Sequence, residues 1–381
     1  MKILYLDWNC YCGPDVYYAF MQMKNKGVTV IRRRFEPSED RDNPAFRFAF
    51  SEDIKKHRPD VVFSMNYFPD VSKVCEAEQV RYMAWVYDEP QVALFNYTVI
   101  NKCNIIFVFD SGVYRRFSSE GIETVHYMPL AAAPQRLLRT IGECEDSARW
   151  KSEISFVGSL YNEGHNYYDR IKESLLPETR DFLEDLMRRQ LQCFSGNFVE
   201  ESLDDAVLSD MTRVLGLTPN RDGVETPAYL YGQYVINRKI TSTERTEILS
   251  MLKEKYPVHH YSKTSELGPV EYFREMPLVF GNSKINLNIT LRSIVCGVPL
   301  RCFDICGCGG FLLTDRRPDM DALFEPDKEV VSFESREELM DKVSYYLSHD
   351  AERQKIAESG LKRVQAEHTF DARLTEMMGY I

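Results

Sequence analysis

The feature that most constrains this chain is the alternation of short apolar runs with amphipathic stretches along its first 130 residues. Residues 3–6, 28–31, 61–63, 82–86 and 105–109 read as buried strands, and 16–26, 46–56 and 112–120 carry helical periodicity between them. A parallel strand pair needs a crossover long enough to hold a helix, so this spacing specifies a parallel, doubly wound sheet. Residues 123–129 add a further strand, and 131–150 show no strand signal and read as a connection. A second alternation opens with strand 153–157 and is interrupted by a mostly helical stretch at 167–239. It resumes with a helix at 243–255, strands at 257–261, 284–289, 311–314 and 330–333, and closing helices. The expected architecture is therefore α/β: two Rossmann-like doubly wound domains, 1–130 and 151–366, with a helical insertion at about 167–239 in the second. Residues 367–381 form a last helix that can pack back on the first domain.

A chain of 381 residues with 44% hydrophobic and 28% charged residues can bury two ordinary cores. A net charge of -11 argues against a nucleic-acid partner, which calls for a basic stripe. The dense basic run Arg32-Arg33-Arg34 follows a strand, is offset by Glu36, Glu39 and Asp40, and reads as a solvated strand end. No run reaches the ~18 apolar residues of a membrane-spanning helix. The N-terminal MKILYLDWNC enters a strand without a signal-peptide core, so the expectation is a cytoplasmic protein with no transmembrane segment. Cys296, Cys302, Cys306 and Cys308 are separated by five, three and one residues, not the paired spacing of a zinc site. They read as small thiols filling tight turns, and no metal is expected.

The richest stretch is SKINLNITLRSIVCGVPLRCFDICGCGGFLLTD, residues 283–315. A helix starting near Arg301 aims its free N–H groups beyond the strand ends, and Arg292 and Arg301 add guanidinium forks for a diphosphate. Asp304 is placed to accept hydrogen bonds from ribose hydroxyls, and Gly309 and Gly310 let the backbone turn sharply and approach a ligand or a neighbouring sheet. Two doubly wound domains make a cleft at the C-terminal edges of their sheets, but periplasmic binding proteins, some epimerases and GT-B transferases share that plan.

The segment resembles the donor-binding signature of GT-B glycosyltransferases, and more closely that of the CgeB-like (spore maturation protein-like) group. There an Arg-x-Phe-acid motif precedes Gly-Gly-Phe-Leu-Leu-Thr, here Arg301, Phe303 and Asp304, then residues 309–314. His368-Thr369-Phe370 with its helical tail fits the C-terminal module of that group, and the Trp85 to Pro90 run, residues 107–110 and residues 154–160 read like members with an extra N-terminal domain. The resemblance implies a metal-independent transferase that takes a nucleotide sugar, UDP- or GDP-linked, as co-substrate and needs no other cofactor. It implies that Gly158 and Ser159 lie near the donor diphosphate and that the Leu267 to Val270 loop, Val270 included, holds the base. Many retaining members carry two glutamates eight positions apart; here Cys296 and Asp304 stand in those places, so stereochemistry is left open.

An inverting enzyme takes a base from the N-terminal domain to deprotonate the acceptor hydroxyl. Asp88, just past strand 82–86, is the first candidate and Asp15, in the first loop, the second; Asp110 also lies past a strand but can cap the helix starting near Ser111, and His165, past the Gly158 loop, could contact donor or acceptor. Tyr5, Trp8, Tyr11, Tyr17, Tyr18, Trp85 and Tyr87 supply rings that could stack on sugars. The expected acceptor is a saccharide, a lipid-linked sugar or a protein in envelope or spore glycosylation. The helical insertion is the expected source of acceptor selectivity or of self-association into a homo-oligomer. Two alternatives stay open: a nucleotide-sugar epimerase of the same fold, and a non-catalytic nucleotide-sugar-binding protein in spore or envelope assembly.

Overall fold

The computed structural model describes residues 1–37, 42–162, 164, 166–194 and 196–381, which form two compact units. The first comprises Met1–Leu130, Pro219–Glu225 and Thr369–Ile381. Its six strands are β1 (Lys2–Asp7), β2 (Thr29–Arg34), β3 (Val61–Met65), β4 (Arg81–Val86), β5 (Asn104–Val108) and β6 (Val125–Tyr127). They lie in the order β2-β1-β3-β4-β5-β6, every pair parallel. Every residue of β3 and β5 is buried, as it must be where helices cover both faces of a parallel sheet. The strand order reverses beside β1, so the loops after β1 and β3 diverge and open a crevice at the C-terminal edge.

Two distant stretches complete this unit. Helix Phe370–Met377 packs on helix Gly13–Gln22, and Phe370 meets Trp85 edge-on with ring centroids 5.9 Å apart. Segment Pro219–Glu225 is held by the Val224 N–H donating to the Phe95 carbonyl at 2.9 Å and by Lys73 donating to Asp222 at 3.3 Å. The arginine run is more committed than a solvated strand end. Arg32 pairs with Asp7 at 2.6 Å and Arg33 pairs with Asp53, while Arg34 is exposed. Those partners come from β1 and from helix Pro44–His57, remote in sequence, which is why counting neighbouring charges missed them. Glu39 and Asp40 lie outside the described residues.

The second unit comprises Ala131–Thr218 and Thr226–His368. Its strands are β7 (Ser152–Val157), β8 (Val258–Tyr261), β9 (Ser283–Asn288), β10 (Leu312–Asp315) and β11 (Val331–Phe333), in the parallel order β11-β10-β9-β7-β8. Here the order reverses beside β7, between β8 and β9. Ile154, Phe156, Ile285, Leu287, Leu313 and Val331 join Ile248, Leu339 and Val343 in one core. The stretch 131–150 belongs to this unit and holds a helix, Pro134–Gly142, whose Leu137 is fully buried. Between β7 and β8 the helices Tyr167–Ile171, Pro177–Leu191 and Asp205–Leu215 build a separate apolar core around Leu183, Leu186, Met211, Tyr231 and Val235. A long helical run, Pro227–Lys253, returns the chain to the sheet and contains one π-turn, Gly232–Ile236. Among the described residues no helix is long and apolar enough to cross a membrane.

Candidate functional site

Parallel strands put all their C-terminal ends on one edge, so the loops after β7, β8 and β9 emerge side by side. Gly158 follows β7, donates its N–H to the Tyr261 carbonyl at 3.1 Å and presents its own carbonyl to His260 Nε2 at 3.0 Å. The Ser159 hydroxyl accepts from the Tyr161 N–H at 2.8 Å, bending the chain tightly. Val270 lies beyond β8, two residues after Gly268, whose φ of +70° needs glycine. After β9, a buried loop leads through Pro299 into helix Leu300–Gly307. The Cys302 N–H donates to the Pro299 carbonyl at 3.0 Å, the Leu300 and Arg301 N–H groups ahead of it lie before any intrahelical acceptor, and Arg301 stands over the Phe280 ring at 5.4 Å.

Not every residue expected at this edge arrives there with a free group. Arg292 is buried, with its side chain 1% exposed, and its guanidinium forks onto Glu244, itself 3% exposed, with Nε donating to Oε2 at 2.9 Å. Its Nη1 donates to the Cys193 carbonyl at 2.8 Å, so the fork faces the protein interior. Asp304 sits one turn inside its helix, buried, and accepts from the Tyr272 hydroxyl at 3.1 Å. Gly309 and Gly310 precede β10 and therefore lie at the opposite edge from Gly158 and Arg301. A Cβ on Gly310 would come within 2.7 Å of both Asn286 Nδ2 and the Phe280 carbonyl, so that glycine serves helix–strand packing. Cys302, Cys306 and Cys308 are buried and burial raises all three thiols.

Sequence reasoning missed the charges beneath this edge. Asp315, at the end of β10, accepts from the Thr290 N–H and hydroxyl, both at 2.8 Å, and from Arg317 Nε at 2.9 Å. Burial alone would raise its pKa, but Arg317 and the Thr290 donors hold it below the ordinary value. Arg245, 8% exposed, donates to the Ile289 carbonyl at 3.0 Å and to the Ser159 carbonyl at 2.6 Å, and burial lowers its pKa. It ties the glycine loop after β7 to the end of β9. Only a pattern of buried arginines within the helical run could have flagged it, and an arginine on a helix ordinarily signals an exposed face.

The first unit carries a carboxylate group at its own C-terminal edge. Asn66, just past β3 with φ +63°, accepts from the Tyr87 N–H at 3.0 Å and the Asp88 N–H at 3.3 Å, while its amide donates to Asp88 at 2.7 Å. One buried side chain thus fixes the whole corner after β4, at the strain of a left-handed backbone. Asp88 is open to solvent yet its pKa is raised, desolvation outweighing the Asn66 hydrogen bond. Glu89, which sequence reasoning passed over, is raised well above the ordinary value by burial and by the nearby carboxylates Asp110 and Asp88, with Arg116 opposing. Asp110 caps helix Ser111–Ser119, accepting from the Gly112 N–H at 2.7 Å. Asp15 is buried in the first turn of helix Gly13–Gln22. His165 lies outside the described residues. Of the aromatics, Tyr5 and Trp85 are core and Tyr11 and Tyr18 are exposed. Trp8, anchored by Nε1 donating to the Met65 carbonyl at 2.7 Å, lies 6.0 Å from Tyr87 across the β1–β3 crevice.

Two parallel, helix-covered sheets, with ligand-ready loops at the C-terminal ends of the strands, are the architecture of GT-B glycosyltransferases. Residues 235–379 match a family described as glycosyl transferase-like. The chain is 19% identical over 296 residues to the spore protein CgeB of Bacillus subtilis, covering 78% of this chain and 74% of that one. Among solved structures it is similar to a glycosyltransferase from Rickettsia africae, with TM-score 0.56 and 12% identity over 100% of this chain and 97% of that one. It is also similar to Anabaena HepE, solved with UDP and glucose (TM-score 0.52, 10% identity, 100% of both chains). Sucrose-phosphate synthase of Thermosynechococcus elongatus gives TM-score 0.54 at 10% identity, covering 100% of this chain and 98% of that one. The chain thus has the GT-B fold, its residues 235–379 match a glycosyl transferase-like family, and it is similar over most of its length to a CgeB protein.

Proposed function

We propose that this enzyme transfers a sugar from a uridine or guanosine diphosphate sugar to a saccharide, lipid-linked or protein acceptor without a metal ion. The observation that carries the reading is the C-terminal edge of the second sheet. There the Gly158–Ser159 turn, the loop holding Val270 and the first turn of helix Leu300–Gly307 emerge from adjacent strands, with Arg301 in that turn. Free N–H groups at a helix start and a guanidinium are the groups that stabilise a leaving diphosphate as the bond from the anomeric carbon to its oxygen breaks. Arg301, Gly158, Ser159 and Val270 are assigned to the donor. The Asp304 carboxylate reaches the ribose only if its bond to Tyr272 opens, and Arg292 acts by holding the loop rather than by touching phosphate. That HepE was solved with UDP and glucose supports a uridine donor.

The acceptor hydroxyl attacks the anomeric carbon and gives up its proton. Asp88 and Glu89 are assigned to receive it, because a carboxylate with a raised pKa is a stronger base than an ordinary one. Asp15 is left with a supporting part in the helix that follows β1. A thermal-shift panel of nucleoside diphosphates and their sugars, on wild type and Arg301→Ala, tests the donor assignment. A ligand at ~100 times its dissociation constant stabilises by about 2.7 kcal/mol. Stabilisation by one nucleotide, lost in the variant, is expected. An unchanged midpoint with every nucleotide refutes the donor site.

A further inference from the structure

The helical run that returns to the second sheet contains one π-turn, Gly232–Ile236, and Arg238 is the second residue after it. A π-turn adds a residue to one turn, so each side chain after it is rotated from where an uninterrupted helix would put it, and such turns recur at functional sites. Here the rotation sends Asn237 into the interior, 0% exposed, where its amide donates to Gln233 at 3.0 Å. Arg238 emerges with its guanidinium 5.8 Å from the Tyr234 ring and 5.7 Å from the ring of Tyr161, the residue that ends the Gly158–Ser159 turn. Arg245 lies over the same Tyr161 ring at 5.0 Å. Two guanidinium groups therefore share one aromatic ring beside the glycine loop.

The charges around them do not balance. Glu244 is taken by Arg292, and Asp315 is taken by Arg317. Arg245 is bonded to backbone carbonyls alone, and Arg301 to the Met276 sulfur. Among the described residues, no carboxylate hydrogen-bonds to Arg238, Arg245 or Arg301, and Arg238 Nε is buried with no acceptor at all. Burial lowers the Arg245 pKa, Asp315 and Glu244 oppose that from a distance, and Arg301 is near enough to add to the lowering. A buried donor without an acceptor, next to further cations to which no carboxylate is hydrogen-bonded, is costly unless an anion completes the group. This occurs in a chain whose net charge is -11, so excess positive charge is not general to the molecule.

We infer that Arg238 binds phosphoryl oxygens of the donor, with Arg245 as the fixed charge behind it and Tyr161 as the ring that aligns both. This deepens the proposed function and rests on the donor lying at this edge, but the anion site can be tested without a nucleotide. The test is isothermal titration and thermal shift with inorganic pyrophosphate, and separately with UDP and GDP, on wild type, Arg238→Met and Arg238→Lys. Methionine keeps the length and the ring contacts and removes the charge. Arg238→Met is expected to weaken pyrophosphate and nucleotide binding by about 10- to 100-fold, with Arg238→Lys between it and wild type. Ligand-free melting midpoints report whether each variant folds, and Arg238→Lys carries the comparison if methionine does not.

Unchanged pyrophosphate affinity in both variants overturns the inference, even if Arg301→Ala abolishes nucleotide binding and the proposed function stands. Pyrophosphate binding that depends on Arg238, in a protein no nucleotide stabilises, upholds the anion site and refutes the nucleotide donor. No binding of any of the three ligands to wild type overturns both.

Discussion

Substituting Arg292 separates its two roles, as a diphosphate ligand or as a buried strut. In the structure its guanidinium forks onto Glu244 with both side chains at most 3% exposed, and its third nitrogen binds the Cys193 carbonyl. Arg292→Met fills similar space but strands the Glu244 carboxylate in a site that desolvates it. Removing one partner of a buried pair costs about 3–5 kcal/mol. For a domain of roughly 150–250 residues this lowers the melting midpoint by ~6–20 °C. The double variant Arg292→Met/Glu244→Leu should recover most of that loss, since apolar replacement of both partners is often neutral.

The pH dependence has a definite sign. Burial already raises the Glu244 pKa and Arg292 pulls it down; without Arg292 it rises further above the unfolded value. The penalty in Arg292→Met is therefore complete above that raised folded-state pKa. It shrinks as pH falls through that value and vanishes below about 4.3, where the carboxyl is protonated in both states. Urea denaturation at pH 8 and pH 5, with the nucleotide panel run alongside, measures both effects. A variant that loses under ~1 kcal/mol but no longer binds nucleotide would refute the strut and restore Arg292 as a donor ligand.

Three further predictions follow from positions already described. Gly310→Ala forces a Cβ to within 2.7 Å of the Phe280 carbonyl, so it should cost about 1–3 kcal/mol in urea denaturation while nucleotide affinity stays unchanged; a selective loss of affinity would contradict its placement at the far edge. Asn66→Ala frees the corner carrying Asp88 and should reduce turnover of a nucleotide sugar at least tenfold with nucleotide affinity intact, the opposite pattern from Arg301→Ala. Glu89→Gln should melt above wild type at pH 8 and level with it at pH 4. The ionised native side chain costs stability that grows as pH rises from about 4.3 through its raised folded value, so a variant less stable at pH 8 would contradict that burial.

Much of the fold was legible because its cause is local. Parallel strands covered on both faces favour continuous apolar runs, and 61–63 and 105–109 are such runs, found as Val61–Met65 and Asn104–Val108, while 284–289 alternates apolar residues with Asn286 and Asn288, both buried in Ser283–Asn288. The helix within 131–150 follows an Ala-Ala-Ala-Pro start that carries no apolar period, and its short apolar face, Leu137 against Gly307 and Ile141 against Gly281, is what seats it. The edge holding Gly158 and Arg301 could be read for a similar reason: a loop after a parallel strand is at the ligand edge wherever the strand is correctly found. Gly309 and Gly310 were grouped with that edge by proximity in sequence to Arg301, yet a helix carries the chain across the sheet between them.

The arginines show where local reading ends. Arg292, Arg301, Arg245 and Arg238 look alike in sequence, and each lies on a helix or just past a strand. What divides them is the carboxylate supply. Glu244 sits 48 positions before Arg292 and immediately beside Arg245, yet helix geometry turns it to Arg292 and leaves Arg245 to carbonyls. Adjacent helical residues point about 100° apart, so being neighbours in sequence keeps two side chains from meeting. Once each carboxylate is assigned to the arginine it touches, the guanidinium groups left without one gather beside the Gly158–Ser159 turn and helix Leu300–Gly307. An anion is what that remainder of charge selects, and under the proposed function the diphosphate of a sugar donor would supply it at the edge where the parallel strands end.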